Sequence, residues 1–431
     1  MRSSIVCSVV LGLLVAAVPA CWSADIGKYD FHVRGDQLRR GTSVFTLQAI
    51  EAPALAEPGA ALGNIASALN RASEVGADSV CFELRGFSED GRELSAEARD
   101  TVRRVLDQVT WRRMGALCRV FAQDAPQDSE YRLAVVQAAA AALGQEKRTV
   151  YWIDGPDSAA LAAEFKKLAA GLVVAAEEGG DVEVVATVPE GKRTRPALVV
   201  GQVPRPDLRA RVSFVMPGTE EGYAAFEAAM ADPSKAEPWT PDNSVLSEEE
   251  RAEGWIALFD GKTLNGWWVQ GRNKKGFQVK DGAIEWVSRG GSMLFTHDRY
   301  DNFILRLEWK IEENGNSGVS LRAPRANRAS KIGMEFQLQG DHGRAPEKHI
   351  TGAIYDVVAP RVNAGKPAGE WNSLEITLDG AKLKAVLNDQ VVQDLDLDAN
   401  EELRYRLRRG FIGLQDHGCQ VAFRNIRVKK L

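Results

Sequence analysis

The sequence predicts two domains of different class. The first is α/β, read as a small or incomplete (β/α)-barrel with a doubly wound sheet as the alternative; the second is an all-β sandwich of the jelly-roll kind. Three observations carry this. The chain has 431 residues, too many for one typical core. From Thr42 to about Val215 short apolar runs alternate with amphipathic segments. After Trp255 the apolar residues recur at every second position to the end of the chain.

The first residues read as an export signal. Arg2 precedes the apolar run Ile5 to Ala20, which ends in the small residues Val18-Pro19-Ala20. Cleavage after Ala20 leaves Cys21 at the new N-terminus, as in a bacterial lipoprotein, although Val18 and Pro19 depart from the usual pattern before a lipidated cysteine. Residues 1–20 are therefore expected to be a signal peptide, and the destination the periplasm or cell envelope, with a lipid at Cys21 left open. Cys81, Cys118 and Cys419 then remain for the folded body, an odd and sparse set that argues for buried thiols rather than a disulfide framework or a structural zinc site.

The α/β domain is expected over residues 25–215. Its strand candidates are Ser43 to Ile50, Ser79 to Leu84, Ala116 to Phe121, Val150 to Asp154, Val182 to Val188, Leu198 to Val203 and Val212 to Val215. Helical spacing of apolar residues marks Asn64 to Val75, Ala96 to Val109, Tyr131 to Leu143 and Ser158 to Ala170. No glycine-rich phosphate loop follows the first strand, so a nucleotide site is not supported. Val75 to Gly86, with Met114 to Phe121, resembles the second and third strands of sugar-cleaving barrel enzymes, but brings no catalytic motif. In a barrel, Glu51, Glu83, Arg85, Asp124 and Asp154 stand at strand C-terminal ends, where a pocket would lie; such acids also serve as helix caps and solvated loop residues.

Gly, Pro and Asp mix with a short Ala-rich helix in a linker over residues 216–247, and Ser247 with Glu250 has the spacing of a capping box. The sandwich is expected over residues 248–431. Phe303, Leu305, Leu307, Trp309 and Ile311 form one face of a strand whose other face is mostly charged. The alternation recurs at Met334 to Gln339, Leu374 to Leu378, Leu383 to Leu387 and Val421 to Val428, with hairpin turns at Asp281-Gly282, Asp379-Gly380 and Asn388-Asp389.

Composition narrows the function. With 54 Lys+Arg against 59 Asp+Glu the formal charge is -5, which gives no basic field to attract a nucleic acid and leaves small neutral ligands open. The most informative polar pattern is in Met334 to Gln339. Alternation puts Glu335, Gln337 and Gln339 on one side, away from Met334, Phe336 and Leu338, while Ser320 and Arg322 oppose Val319 and Leu321. A row of carboxylate, amide and guanidinium offers donors and acceptors to sugar hydroxyls, and the loop Gly340-Asp341-His342-Gly343 adds an acid and an imidazole.

Trp255 to Trp267, with the core Leu258-Phe259-Asp260-Gly261-Lys262-Thr263-Leu264-Asn265-Gly266, resembles the opening of the 3-keto-disaccharide hydrolase domain family, related in fold to concanavalin A-like lectins and glucanases. Asn316-Ser317-Gly318-Val319 with Arg322, Glu335-Phe336-Gln337, Thr351 to Tyr355, Gly369 to Asn372, and Phe411 to Asn425 with Gln415 and His417 extend the resemblance over Glu253 to Leu431. It implies hydrolysis or 1,2-elimination of glycosides already oxidised to a ketone at carbon 3. Such chemistry needs a base, an electrophile for the enolate oxygen and groups that hold hydroxyls. The expected base is His342 or Glu335, with Asp341 beside it, and Arg322, alone or with a divalent ion, faces the enolate. Asn316, Gln337, Tyr355, Trp309 and His417 are expected to bind the sugar.

The Glu-x-Asp-x-Glu triad of retaining β-glucanases is absent, so cleavage by paired carboxylates is disfavoured. A metal is undecided: Asp341, His342, His349 and Asp356 supply donors but match no demanded spacing. Two other readings stay open, a non-catalytic carbohydrate-binding module or envelope scaffold, and catalysis in the barrel by Glu51, Glu83 or Asp154.

Overall fold

The computed structural model describes residues 28–155, 157–186, 194–202, 212–230, 239–270, 276–286, 292–325 and 327–431. The expected signal peptide and Cys21 lie outside these, as do parts of the expected strands near Val188 and Val203. No helix among the described residues is long and apolar enough to cross a membrane.

Three short strands, Phe31–Arg34 (β1), Gln37–Arg40 (β2) and Ser43–Val44 (β3), come first. Eight parallel strands follow: Gln48–Glu51 (β4), Ser79–Glu83 (β5), Gly115–Arg119 (β6), Val150–Ile153 (β7), Val173–Ala176 (β8), Val182–Val185 (β9), Ala197–Val200 (β10) and Ser213–Met216 (β11). They close in the order β10-β11-β4-β5-β6-β7-β8-β9, so the barrel reading holds and the open doubly wound sheet does not. Sequence reading missed β1 and β2 and, within the barrel, β8. All four of its residues are buried, so it shows no alternation, and it follows an Ala-rich helix from which periodicity cannot separate it.

Helices Leu62–Glu74 (α1), Ala96–Trp111 (α2), Ser129–Leu143 (α3) and Ser158–Leu168 (α4) cover β4 to β7, and Glu220–Met230 (α5) follows β11. The barrel interior is filled by Leu47, Ala49, Cys81, Leu117, Val150, Trp152 and Val215, and the β1–β2 hairpin plugs its N-terminal end with Phe31 and Leu38. Arg40 seals the same end by donating to the carbonyls of Arg113 and Met114. Cys81, Cys118 and Cys419 are buried free thiols.

The short helix Glu248–Ala252 (α6) opens with the expected capping box, Ser247 Oγ accepting from the Glu250 amide at 3.1 Å and Glu250 Oε2 from the Ser247 amide at 3.0 Å. Thirteen strands then build two antiparallel sheets. One contains Phe277–Lys280 (β14), Ala283–Trp286 (β15), Phe303–Ile311 (β17), Asn372–Asp379 (β20), Lys382–Leu387 (β21), Gln390–Asp396 (β22) and Val421–Lys430 (β24), with Trp255–Ala257 (β12) paired to β24. The other has the order β13-β16-β23-β18-β19, from Trp267–Gln270 (β13), Met293–Tyr300 (β16), Gly410–Gln415 (β23), Asn316–Ala323 (β18) and Met334–Gln339 (β19). Asp281-Gly282 and Asn388-Asp389 turn with both residues at positive φ, as type I′ hairpins require. Leu305, Leu307 and Trp309 of the first sheet pack on Val319, Leu321, Phe336, Leu338 and Leu414 of the second. Burying these inward faces leaves the outer face of the five-stranded sheet to its polar residues.

The two domains touch along α1 and through the loops at the N-terminal end of the barrel. Asn327, just before the short helix Ala329–Ile332 (α7), donates to Ser73 Oγ at 3.0 Å and the Ala77 carbonyl at 2.8 Å. Asn70 donates to the Tyr405 carbonyl, and Gly63 lacks the Cβ that would meet the Tyr405 ring at 2.7 Å. Arg299 of β16 pairs with Glu227 of α5 and, at 3.6 Å, with Glu74 of α1.

Candidate active site

Register across the five-stranded sheet sets the floor of the site. Glu335 of β19 lies opposite Ser320 of β18, Ser320 opposite Gly413 of β23, Gly413 opposite Phe295 of β16, and Phe295 opposite Trp268 of β13. One cross-strand row therefore runs from a carboxylate and a hydroxyl to stacked aromatics, with Trp268 and Phe295 centroids 5.2 Å apart. Two glycines make the row possible. A Cβ on Gly318 would stand 2.5 Å from Glu335 Oε1, and one on Gly413 would stand 2.4 Å from the Phe295 ring. Parallel to it, Gln337 opposes Gly318, and Gln415 opposes Met293, which in turn opposes Gln270.

Above this floor is a cavity of about 400 Å³. Glu335, Ser320, Gln337, Asn316 and Gln415 line its base; Arg328, Tyr355, Asp416 and His417 stand around it, and Arg113 of the barrel completes the wall. Its polar atoms are only partly used. Gln337 donates to Asn316 Oδ1 at 2.9 Å and Gln415 donates to Glu335 Oε1 at 3.1 Å. Gln337 Oε1, Gln415 Oε1 and Ser320 Oγ are buried without a hydrogen-bond partner. Unpaired buried acceptors are costly in a closed protein and expected where a ligand supplies the missing donors, and a sugar carries hydroxyls that can do so.

Glu335 is 6% exposed. Burial pushes its carboxyl up to about 7, and the Gln415 amide and the charges of Arg328 and Lys331 offset this only in part. A carboxylate poised near neutral pH, beside a polar cavity, is matched to proton transfer.

Of the residues expected from sequence, Glu335, Asn316, Gln337, Tyr355 and His417 meet at this cavity. Arg322 does not. It is fully buried and donates to the Asp301 carbonyl at 2.7 Å, the Gly380 carbonyl at 3.0 Å and Asn302 Oδ1 at 3.2 Å, stapling two turns. The cause is a β-bulge. The β18–β23 register slips between Ser320 and Ala323 and Arg322 takes a φ of 50°, so the period of two that joined Arg322 to Ser320 breaks between them.

Asp341 and His342 are also structural. Asp341 is buried and accepts from the Thr351 amide at 3.0 Å and from Asn363, while His342 Nδ1 lies 2.6 Å from the Gly365 carbonyl; together they pin the loop that follows Val362. Trp309 is 1% exposed in the core between the sheets and does not line this cavity. The donors once grouped for a metal are spread apart: His349 pairs with Asp356 at 3.1 Å, and Asp356 with Lys331, away from Asp341 and His342. Among the described residues no three His, Cys, Asp or Glu side chains converge as a metal site, so these four do not fit a divalent ion.

Sequence reasoning gave no role to Arg328 and did not single out Arg113. The first sits in a loop without periodicity, and the second belongs to another domain. A second cavity, about 440 Å³, lies on the outer face of the larger sheet between Lys280, Trp286, Lys310 and Gln420, and none of the expected site residues lines it.

At the barrel's C-terminal end, Arg119 pairs with Asp154 at 3.0 Å and stands 3.7 Å from Glu51 and 3.9 Å from Glu83, over the Trp152 ring. Arg85 holds Glu83 at 2.6 Å, Glu57 at 3.2 Å and Asp124 at 3.2 Å. Burial raises the Glu51 carboxyl, with Arg119 opposing. These acids are tied to two arginines.

Residues 254–429 match the 3-keto-alpha-glucoside-1,2-lyase-like domain family. A 3-keto-disaccharide hydrolase of Bacteroides thetaiotaomicron is 29% identical over 264 residues, which take in 49% of this chain and 90% of the relative. Among solved structures, one described as a putative glycosyl hydrolase from Parabacteroides distasonis is 29% identical, with a TM-score of 0.39, covering 43% of this chain and 98% of that one. A glycoside hydrolase family 5 structure from Bacteroides vulgatus is 12% identical, with a TM-score of 0.33, over 73% of this chain and 91% of the other. The sandwich is similar to the 3-keto-alpha-glucoside-1,2-lyase-like domain and to the 3-keto-disaccharide hydrolase relative.

Proposed function

We propose that this chain is an exported enzyme that cleaves glycosides oxidised to a ketone at carbon 3, with Glu335 as the base. The observation that carries the reading is the Glu335 carboxyl, buried and pushed up to about 7 at the base of a polar cavity with unpaired acceptors. The family resemblance supports the substrate class, and the apolar run Ile5 to Ala20 supports export.

The ketone makes the hydrogen on carbon 2 acidic. Glu335, deprotonated, takes that proton; the C–H electron pair moves into an enolate, and the enolate expels the group on carbon 1 with the glycosidic electron pair. Glu335, now protonated, is placed to return its proton to the departing oxygen. Water adding to the unsaturated product then gives net hydrolysis. The Ser320 hydroxyl, unpaired and directly across the strand pair from Glu335, is placed to donate to the enolate oxygen next to the attacked carbon. Gln337 and Gln415 present bare carbonyl oxygens to substrate hydroxyls, and Asn316 fixes the Gln337 amide. Removing a positioned base typically costs about 10²- to 10⁴-fold in rate.

The test is incubation of the full chain with a 3-keto-glucoside and with its unoxidised parent, following aglycone release and the ultraviolet absorbance of the unsaturated ketone. Release from the ketone alone, lost in Glu335→Gln, is the expected result. Equal cleavage of the parent, or full activity in the variant, would overturn the reading.

A further inference from the structure

Arg113 belongs to the barrel, yet it lines the sandwich cavity. It sits just past the C-terminus of α2 with a φ of 62°, a left-handed conformation that helix ends usually give to Gly or Asn. Arg40 holds the backbone there by donating to the carbonyls of Arg113 and Met114. The strained residue is thus a long cation fixed at the rim of a pocket in another domain. Beside it stands Arg328, whose amide donates to the Arg112 carbonyl at 3.3 Å, so a backbone bond across the domain boundary joins the segments that carry the two guanidinium groups.

Neither Arg113 nor Arg328 forms an ion pair among the described residues, whereas the nearby Lys331 is paired with Asp356. The acids of the cavity do not satisfy them. Glu335 is buried against its amide partner Gln415, and Asp416, 1% exposed, accepts from the Gly418 amide at 2.8 Å. Two arginines lining a polar cavity, neither within ion-pair distance of its carboxylates Glu335 and Asp416, make a site for an anion, since planar guanidinium groups match carboxylate, sulfate and phosphate oxygens.

We propose that the glycoside taken by this site carries a fixed negative charge, a carboxylate or a sulfate or phosphate ester, bound by Arg113 of the barrel together with Arg328 of the sandwich. This rests on the glycoside reading of the cavity and adds to it the class of substrate. It also gives the first domain a part in recognition. The barrel meets the sandwich along α1 and through the loops at its N-terminal end, the face that in such barrels ordinarily contributes stability rather than chemistry, and here one of those loops supplies a wall of the neighbour's pocket.

The experiment uses the full chain and compares kcat/KM for a neutral 3-keto-glucoside with its 3-keto-glucuronide and its 6-sulfate and 6-phosphate esters. At least one charged substrate is expected to be preferred by about tenfold or more, the size of one charge-assisted hydrogen bond, and Arg113→Gln and Arg328→Gln to bring that ratio toward one. Which charged member is preferred separates carboxylate from ester. Arg113→Gly, which suits the backbone, is expected to lose the preference while raising the melting temperature, so misfolding does not account for the loss. Turnover of the neutral substrate with no preference for any charged one, or a preference that survives both substitutions, would overturn this inference and leave the glycoside reading standing. If none is turned over, binding of glucuronate and glucose 6-phosphate against glucose decides: arginine-dependent binding of the charged sugar supports the anion site without the proposed chemistry, and equal or no binding removes it.

Discussion

Glu335 and Arg322 are neighbours on paired strands with opposite fates. For Glu335, the folded carboxyl lies at about 7 against about 4.3 in an unfolded chain. The folded state therefore holds the extra proton between these values, and stability falls as pH rises through that window. At full ionisation the cost is on the order of 4 kcal/mol. Glu335→Gln is accordingly expected to unfold later than the parent chain above pH 7, with the gap closing toward pH 4; urea melts at several pH values check this. In the same chain kcat/KM is expected to rise with pH through about 7, because the base must be ionised, and a pH-rate profile without that limb would remove Glu335 from the role. Arg322→Met, by contrast, removes the donors to the Asp301 and Gly380 carbonyls and one of the two donors to Asn302 Oδ1, at an expected cost of about 2 kcal/mol. Denaturant melts of the variant test it, and an unchanged midpoint would contradict the staple. Arg113→Gly should gain about 1 kcal/mol by relieving the left-handed backbone.

Strand pairing decides what those residues face. Alternation in β19 made Glu335 and Gln337 legible from sequence, because a six-residue strand with Met334, Phe336 and Leu338 buried can turn its other side only one way. The same rule placed Arg322 wrongly, because it assumes an unbroken ladder, and the bulge between Ser320 and Ala323 appears only when β23 is laid beside β18. Glycine has the converse lesson. Gly318 is a gap in β18 when read alone and the seat of the Glu335 carboxylate when β19 is paired to it. Gly318→Ala is therefore expected to displace the carboxylate and lower kcat/KM by at least tenfold with little effect on overall folding, a split that kinetics beside circular dichroism would show. Loss of fold together with activity would point to packing instead.

On the scale of the molecule, the barrel and sandwich each close their own core, and the contact between them is largely polar: Asn70 with Tyr405, Asn327 with Ser73 and Ala77, Gly63 under the Tyr405 ring, Trp111 beneath Lys331 and Arg406, and Arg299 between two acids. Such an interface couples domains only while its hydrogen bonds hold. Replacing both Asn70 and Asn327 by alanine is expected to turn a coupled thermal transition into two resolved ones in calorimetry and to weaken binding of charged glycosides by moving Arg113 away from Arg328. A single transition with an undisturbed charge preference would show that other contacts suffice.

Spacing along single segments was enough to read the two classes of domain, the strands β17, β19, β20, β21 and β24, the hairpins at Asp281-Gly282 and Asn388-Asp389, and the polar row on β19. The expected Asp379-Gly380 turn, by contrast, sits one residue later, at Gly380-Ala381, because Asp379 still pairs with Lys382. The sequence by itself also determined the family likeness of residues 254–429. The rest came from contacts between distant segments. Barrel closure needed β8, whose fully buried residues carry no period; the bulge took Arg322 away from the site; the loop contacts of Asp341 and His342 made them supports; and the meeting of Arg113 with Arg328 depends on docking two domains. The physical reason is common to all four. Periodicity reports which side of a segment is buried, whereas a pocket is made where separate segments meet, and that meeting is fixed by pairing, bulges and interfaces that no single stretch of sequence encodes.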